Sequence, residues 1–328
     1  MEINKEQRME LIKSQRPTIK ESTMKQYEAQ LRKLAKLFDS PDNYEFLTDV
    51  DAVMDKISHL HYTSQRNALN PVIVLLLALN EDKKYDELIK SYSKIRDGFN
   101  LKYEEEQKSG LISEKQKGNF VEMDAIDEML NKMEKEIRVN KLKKKDELTG
   151  KEKELFMVFT LFNWLKRIPT RNDMAGQILI NKSMVKNLTE EEKKNTNYLV
   201  KEKSKMYGLY NDYKTSSKYG EKIIEIPKDL EKIINVYIRA TNKKVGDVLF
   251  VNSMGTPLNR NQISQLLIKT SKLYLQKNIS TTIMRKIVAS YHFGDKEYQE
   301  KKKEQAVLAH NMGHSTSVQD KVYIKTTD

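Results

Sequence analysis

Apolar residues in the first hundred positions recur at steps of three and four, the period of helices with one buried face. Met24, Tyr27, Leu31, Leu34, Ala35 and Phe38 share one side of a helix predicted over 22–38, with Ser22 or Thr23 as its cap. Further helices are predicted over 49–57, opened by Thr48, over 64–79, where VIVLLLAL marks the most buried part, and over 86–99. Residues 1–101 therefore read as a small all-helical domain with basic side chains on its outer faces. Residues 102–119 (KYEEEQKSGLISEKQKGN) are polar, contain Gly110 and Gly118 and lack periodicity, which predicts a linker.

The pattern changes in the remainder, 120–328. A helix is predicted over 124–139, with Ile126, Met129, Leu130, Met133 and Ile137 on one face, followed by the basic run 140–146 and a core helix over 155–165 (LFMVFTLFNWL). Residues 198–210 and 222–226 read as strands around a polar turn at 214–220, and 248–251 (VLFV) as a short strand before the turn SMGTP. Helices resume at 259–275, 280–291 and 304–311. The expected fold class is mainly α with a small antiparallel β-sheet, an α+β second domain behind a helical first one.

Charge narrows the partners. Fifty-nine Lys and Arg against 47 Asp and Glu leave +12, which suits a polyanion such as nucleic acid. No apolar run is long enough to span a bilayer and the first residues are charged, so neither a membrane span nor a secretory leader is expected. The absence of cysteine leaves no disulfide, thiolate metal site or cysteine nucleophile, and an intracellular, reducing compartment is expected.

Candidate chemistry lies in the second domain. In chain order it offers Arg171 after an apolar helix, Lys214 in a turn, Arg285 in a helix, His314 within Met312-Gly313-His314-Ser315, and Tyr323 nine residues later. Singly, each has an ordinary reading as a surface charge or packing residue; order and spacing carry the signal. Cleaving a DNA phosphodiester by side-chain attack builds negative charge on phosphorus, and two guanidiniums clamp the non-bridging oxygens with bidentate hydrogen bonds. Arg171 and Arg285 fit that role. A lysine on a turn, here Lys214, protonates the leaving 5′-oxygen. A phenol flanked by cations loses its proton more readily, which fits Tyr323 as nucleophile, with His314 hydrogen-bonding a non-bridging oxygen. No step needs a metal or nucleotide cofactor.

This arrangement resembles the tyrosine recombinase, or phage-type integrase, family, whose catalytic domain carries Arg, a hairpin Lys, His-x-x-Arg, Leu-Gly-His and a nucleophilic Tyr in that order. The resemblance runs from about Glu122 to the C-terminus. More loosely it reaches the N-terminus, where Ser22-Thr23-x-x-x-Tyr27 ahead of a helical bundle is similar to the family's core-binding domain. It implies a site-specific recombinase that forms a 3′-phosphotyrosyl link without ATP and assembles as a tetramer on double-stranded DNA. It also implies a clamp around DNA hinged at 102–119. A type IB topoisomerase, or a DNA-binding relative that has lost catalysis, are the alternatives. The Lys-, Asn- and Ile-rich composition, with Arg-Asn-Asp after the first arginine, is also similar to integrase-like genes of large DNA viruses and their parasites.

The sequence departs from the family pattern at several points. Thr282 stands where the first histidine of His-x-x-Arg is expected, so the usual proton acceptor is missing; His310 and His292 are the histidines near enough in sequence to replace it. Asp173 is expected to orient Arg171 by a salt bridge. Arg167 and Arg171 both flank Ile168-Pro169-Thr170; Arg171 is preferred because the apolar segment 174–180 is similar to the helix after the family's first arginine. The short stretch after Tyr323 is expected to lack the helix that docks into a neighbouring protomer. Phosphate-backbone contacts are expected from Lys20, Lys25, Arg32, Lys33, Lys36 and Arg66 in the first domain. In the second they are expected from Lys141, Lys143, Lys144, Arg260 and Lys269.

Overall fold

Asn4 and Gln7 each accept a hydrogen bond from the other's backbone N–H, a reciprocal cap that starts helix α1, Lys5–Gln15. It is an element the periodicity did not predict. In the computed structural model, which describes residues 2–108 and 110–320, the chain divides into two units, Met1–Ile112 and Ser113–Asp328. The first unit continues with α2 (Glu21–Leu37), α3 (Val50–Ile57), α4 (Tyr62–Ala78) and α5 (Asp86–Lys108). Helix α2 starts one residue before Ser22; Lys20 takes the cap position and no side chain caps there. Asp49, not Thr48, caps α3 by accepting from the Ala52 N–H at 2.9 Å.

The core of this unit gathers Leu31, Leu34 and Ala35 of α2 and most of the apolar run of α4 around Tyr44 and Tyr92, all buried. Burial of both flanks of α4 explains why its apolar residues are continuous. Helix α5 runs nine residues past the predicted end at Phe99, because Tyr103 lies under the Arg66 guanidinium at 4.8 Å and Glu106 accepts from the Tyr62 hydroxyl. The first part of the predicted linker is thus helical.

The second unit is built on α6 (Met123–Val139) and α7 (Gly150–Arg167), which starts at a Thr149/Glu152 capping box. Four strands follow: β1 (Ile178–Asn181), β2 (Tyr198–Lys201), β3 (Met206–Tyr210) and β4 (Lys222–Glu225), side by side in that order. β2–β3 and β3–β4 are antiparallel, while β1 joins β2 in parallel, so the sheet is mixed. The polar EKSK within 198–210 is a turn, and that segment is itself a hairpin. Residues 174–180, expected as a helix, form a turn and then β1. Gly176 takes a left-handed φ of +67°, and Ile178, Leu179 and Ile180 pair with Tyr198, Leu199 and Val200. A three-residue apolar run has no period long enough to separate strand from helix.

Helices α8 (Lys228–Ala240), α9 (Arg260–Leu275), α10 (Thr281–Phe293) and α11 (Lys296–Asn311) complete the unit. Helix α11 starts at its Asp295 cap, eight residues before the predicted start. Trp164 of α7 sits fully buried, edge-on to Phe250 at 6.3 Å. The fold is therefore mainly helical with a small sheet. No described helix is long and apolar enough to cross a membrane.

Candidate active site

The segment between α7 and β1 is where the charges converge, and asparagines hold it. Asn172 donates through its amide to the Arg260 carbonyl at 2.6 Å, and its Oδ1 accepts from the Thr281 hydroxyl at the first turn of α10. Arg285, one turn further along α10, donates from Nε to the Pro169 carbonyl at 3.0 Å. Two tethers thus fix α10 on the loop that carries Arg171.

Asn197 fixes the other side. Buried just before β2, it donates to the Asp173 and Asp212 carbonyls, both at 2.8 Å, and its Oδ1 accepts from the Asn211 and Asp212 N–H groups at 2.8 and 2.9 Å. All four bonds lock the start of the Lys214 turn to the Arg171 loop. Truncating a buried group that leaves donors and acceptors unmet costs about 1–3 kcal/mol for each group left unmet. We expect Asn197→Ala to lower the urea-unfolding free energy of this unit by at least ~2 kcal/mol. The emission of Trp164, the chain's one tryptophan, is the readout. An unchanged midpoint would contradict the role given to Asn197.

Within this frame Arg171, Asp173, Arg260 and Arg285 act on one another. Burial pushes the Asp173 carboxyl above its usual range, against the pull of Arg260, Arg171 and Lys222, while Asp212 adds to the rise. The Arg285 guanidinium is lowered first by burial and then by the like charge of Arg171, with Asp173 opposing. Arg260 bridges the two carboxylates, 3.0 Å from Asp212 and 4.0 Å from Asp173, and its Nη2 also donates to the Asp212 carbonyl at 2.7 Å. Exposed Arg171 and half-buried Arg285 are thus near enough to repel, and Asp173 acts on both, an arrangement that an anion stabilises. Arg167 is committed elsewhere: it pairs with Asp229 at the start of α8 and donates to the Asn163 side chain at 2.8 Å. That contact, not the expected helix over 174–180, separates Arg171 from Arg167.

Lys214 is exposed in the turn between β3 and β4, and the buried Tyr213 pins that turn by donating to the Gly220 carbonyl at 2.8 Å. His314 follows a Schellman end to α11: Gly313, at φ +75°, donates to the His310 carbonyl at 3.0 Å and His314 N–H to that of Ala309 at 3.1 Å. The Gly-His pair is therefore a helix stop, with the His314 Nδ1 at 3.1 Å from the Ser315 carbonyl. Thr282, His310 and His292 are exposed; at the start of α10 it is the buried Thr281 that reaches the loop. Tyr323 lies outside the described residues. The sequence reading missed Asn172, Asn197, Asp212 and Lys222, of which Lys222, eight residues beyond Lys214, acts on Asp173 after Arg260 and Arg171.

Of the expected phosphate contacts, Lys25 pairs with Glu21 and Lys269 with Glu154, each at 2.6 Å, while Arg66 stacks on Tyr103 and Arg260 holds Asp212. Arg32, Lys33 and Lys36 line the exposed side of α2, and Lys141, Lys143 and Lys144 are exposed after α6. Lys20 stands at the α2 cap.

No protein-family model matches this chain, and no curated protein does. Among solved structures, the crystal structure of XerA recombinase is similar over 89% of this chain and 84% of that chain, at 10% identity and a TM-score of 0.33. That TM-score lies below the level at which a shared fold follows.

Proposed function

We propose that this chain cleaves and rejoins DNA strands as a tyrosine recombinase, acting as an integrase. The observation that carries the reading is the tethering of the Arg171 loop to the half-buried Arg285 on α10, which keeps the two cations close despite their repulsion. A phosphodiester in its pentacoordinate state is the kind of anion such a pair stabilises more strongly than the ground state. Order along the chain supports it, since a turn lysine lies between the two arginines and a Gly-His helix stop and a tyrosine follow them.

In this reading the Tyr323 oxygen attacks phosphorus and the bond to the 5′-oxygen breaks. Lys214 gives that oxygen its proton, and a 3′-phosphotyrosyl link remains. A free 5′-hydroxyl of a partner strand then attacks the same phosphorus, and Tyr323 leaves and regains a proton. The bond energy stays in the protein–DNA link, so no ATP is spent. Asp173 keeps Arg171 and Arg260 in register. Double-stranded DNA is the partner, and strand exchange calls for a tetramer on it.

The test uses nicked suicide duplexes carrying the terminal sequences of the element that encodes the chain, without Mg²⁺ or ATP. A denaturation-resistant protein–DNA adduct is expected, and Tyr323→Phe is expected to abolish it. Adduct formation that survives Tyr323→Phe contradicts the nucleophile. Relaxation of supercoiled plasmid without any exchange between partner duplexes assigns the same chemistry to a topoisomerase.

A further inference from the structure

The second unit has another concave surface, none of whose lining residues belongs to the Arg171–Arg285 cluster. A cavity of about 850 Å³ lies between the first turns of α7, the end of α8, the turn at 251–255 and the outer side of α9. Small-molecule sites occupy roughly 300–1,000 Å³. Its lining divides by chemistry. Met157, Leu258 and Leu266 give it an apolar floor, while Lys153, Lys243 and Lys269 bring three ammonium groups to it.

Those lysines are not equivalent. Lys269 is paired with Glu154 at 2.6 Å. Lys243 is half-buried, and its ammonium is lowered first by burial; Asp247 opposes this and the like charge of Lys153 adds to it. Lys243 thus pays for desolvation and faces a second cation, a state that an entering anion relieves. Gln262 also lines the cavity; its Oε1 accepts the Asn259 N–H at 2.9 Å in the α9 cap, which leaves its amide nitrogen as a donor toward a ligand.

We propose that this cavity binds a mononucleotide-sized phosphate ester, with the phosphate between Lys153 and Lys243 and a flat ring on Met157, Leu258 and Leu266. A duplex backbone would satisfy the lysines but offers no ring to the floor, so the combination favours a small ligand.

The probe is ATP carrying a fluorescent ribose label, titrated into the full chain, with unlabelled AMP, inorganic phosphate and a short duplex as competitors. Saturable binding is expected, displaced by AMP and at least about tenfold less readily by inorganic phosphate, which cannot use the floor. Lys243→Met, which keeps the buried stem, and Lys153→Met are each expected to weaken binding by about tenfold, the worth of one charge-assisted hydrogen bond. Trp164 emission checks that both variants are folded. Absence of saturable binding, unchanged affinity in both folded variants, or equal competition by phosphate and AMP would overturn the proposal. So would displacement by the duplex at lower concentration than AMP, which would assign the lysines to DNA backbone. Neither lysine belongs to the Arg171–Arg285 cluster, so failure here leaves strand transfer standing.

Discussion

Arg285→Lys is expected to slow formation of the covalent DNA adduct by on the order of 10²–10³-fold, the usual cost of removing one preorganised donor to a developing oxyanion. Lysine keeps the charge but loses the planar fork, and with it either the bond to the Pro169 carbonyl or the second contact to phosphate. Burial and Arg171 already depress the guanidinium in this position. An ammonium there loses more from desolvation, because its proton is easier to shed. Single-turnover adduct formation at saturating protein, compared with the DNA affinity of the same variant, is the measurement. The account predicts a large fall in rate with affinity changed little. A fall in affinity alone would make Arg285 a backbone contact.

The second large effect is in the first unit. Arg8, buried in α1, makes a two-pronged pair with Glu28 of α2, at 2.7 and 3.0 Å, and lies 5.0 Å over the Tyr44 ring. Their side chains are only 3% and 10% exposed. Removing Glu28 leaves the buried Arg8 with only the exposed Asp42 at 3.4 Å and the Ile3 carbonyl as polar partners; breaking a buried pair costs about 3–5 kcal/mol, whereas replacing both partners by apolar side chains is often neutral or stabilising. Glu28→Ala should therefore unfold the first unit at markedly lower urea. Arg8→Met with Glu28→Leu should recover most of the loss. Far-UV circular dichroism reports both units and Trp164 emission only the other, so loss of helix signal at lower urea without a change in emission marks the first unit. Equal destabilisation of the single and double variants would show that the two side chains are not coupled.

Much of the helical layout was legible because its signals are local. The face of α6, the apolar run of α4 and the caps of α9 and α10 each follow from residues within two turns. Helix α8 went unpredicted, although Leu230, Ile234, Tyr237 and Ile238 recur at helical spacing after Pro227 and are all buried. Helix α1 was hidden, since it buries little besides Ile12 and a charged Arg8, and only its Asn4/Gln7 cap marks it.

The sheet was harder, because pairing β1 to β2 is a contact between distant residues and 178–180 has no period. The charge cluster divides the same way. Arg171, Asp173 and Arg285 were named from order along the chain, but the bonds that hold them come from Asn172, Asn197 and Thr281. A polar side chain that bridges loops 88 or 109 residues apart leaves no pattern in sequence. The two asparagines are thus visible only once the chain is folded.

The most direct test is to identify the residue that carries DNA. Adduct trapped on a nicked suicide duplex is digested with nuclease and protease, and the modified peptide is sequenced by mass spectrometry. The account predicts a nucleotide joined through phosphate to the phenolic oxygen of Tyr323; a nucleotide on any other side chain, or no covalent adduct at all, would contradict it.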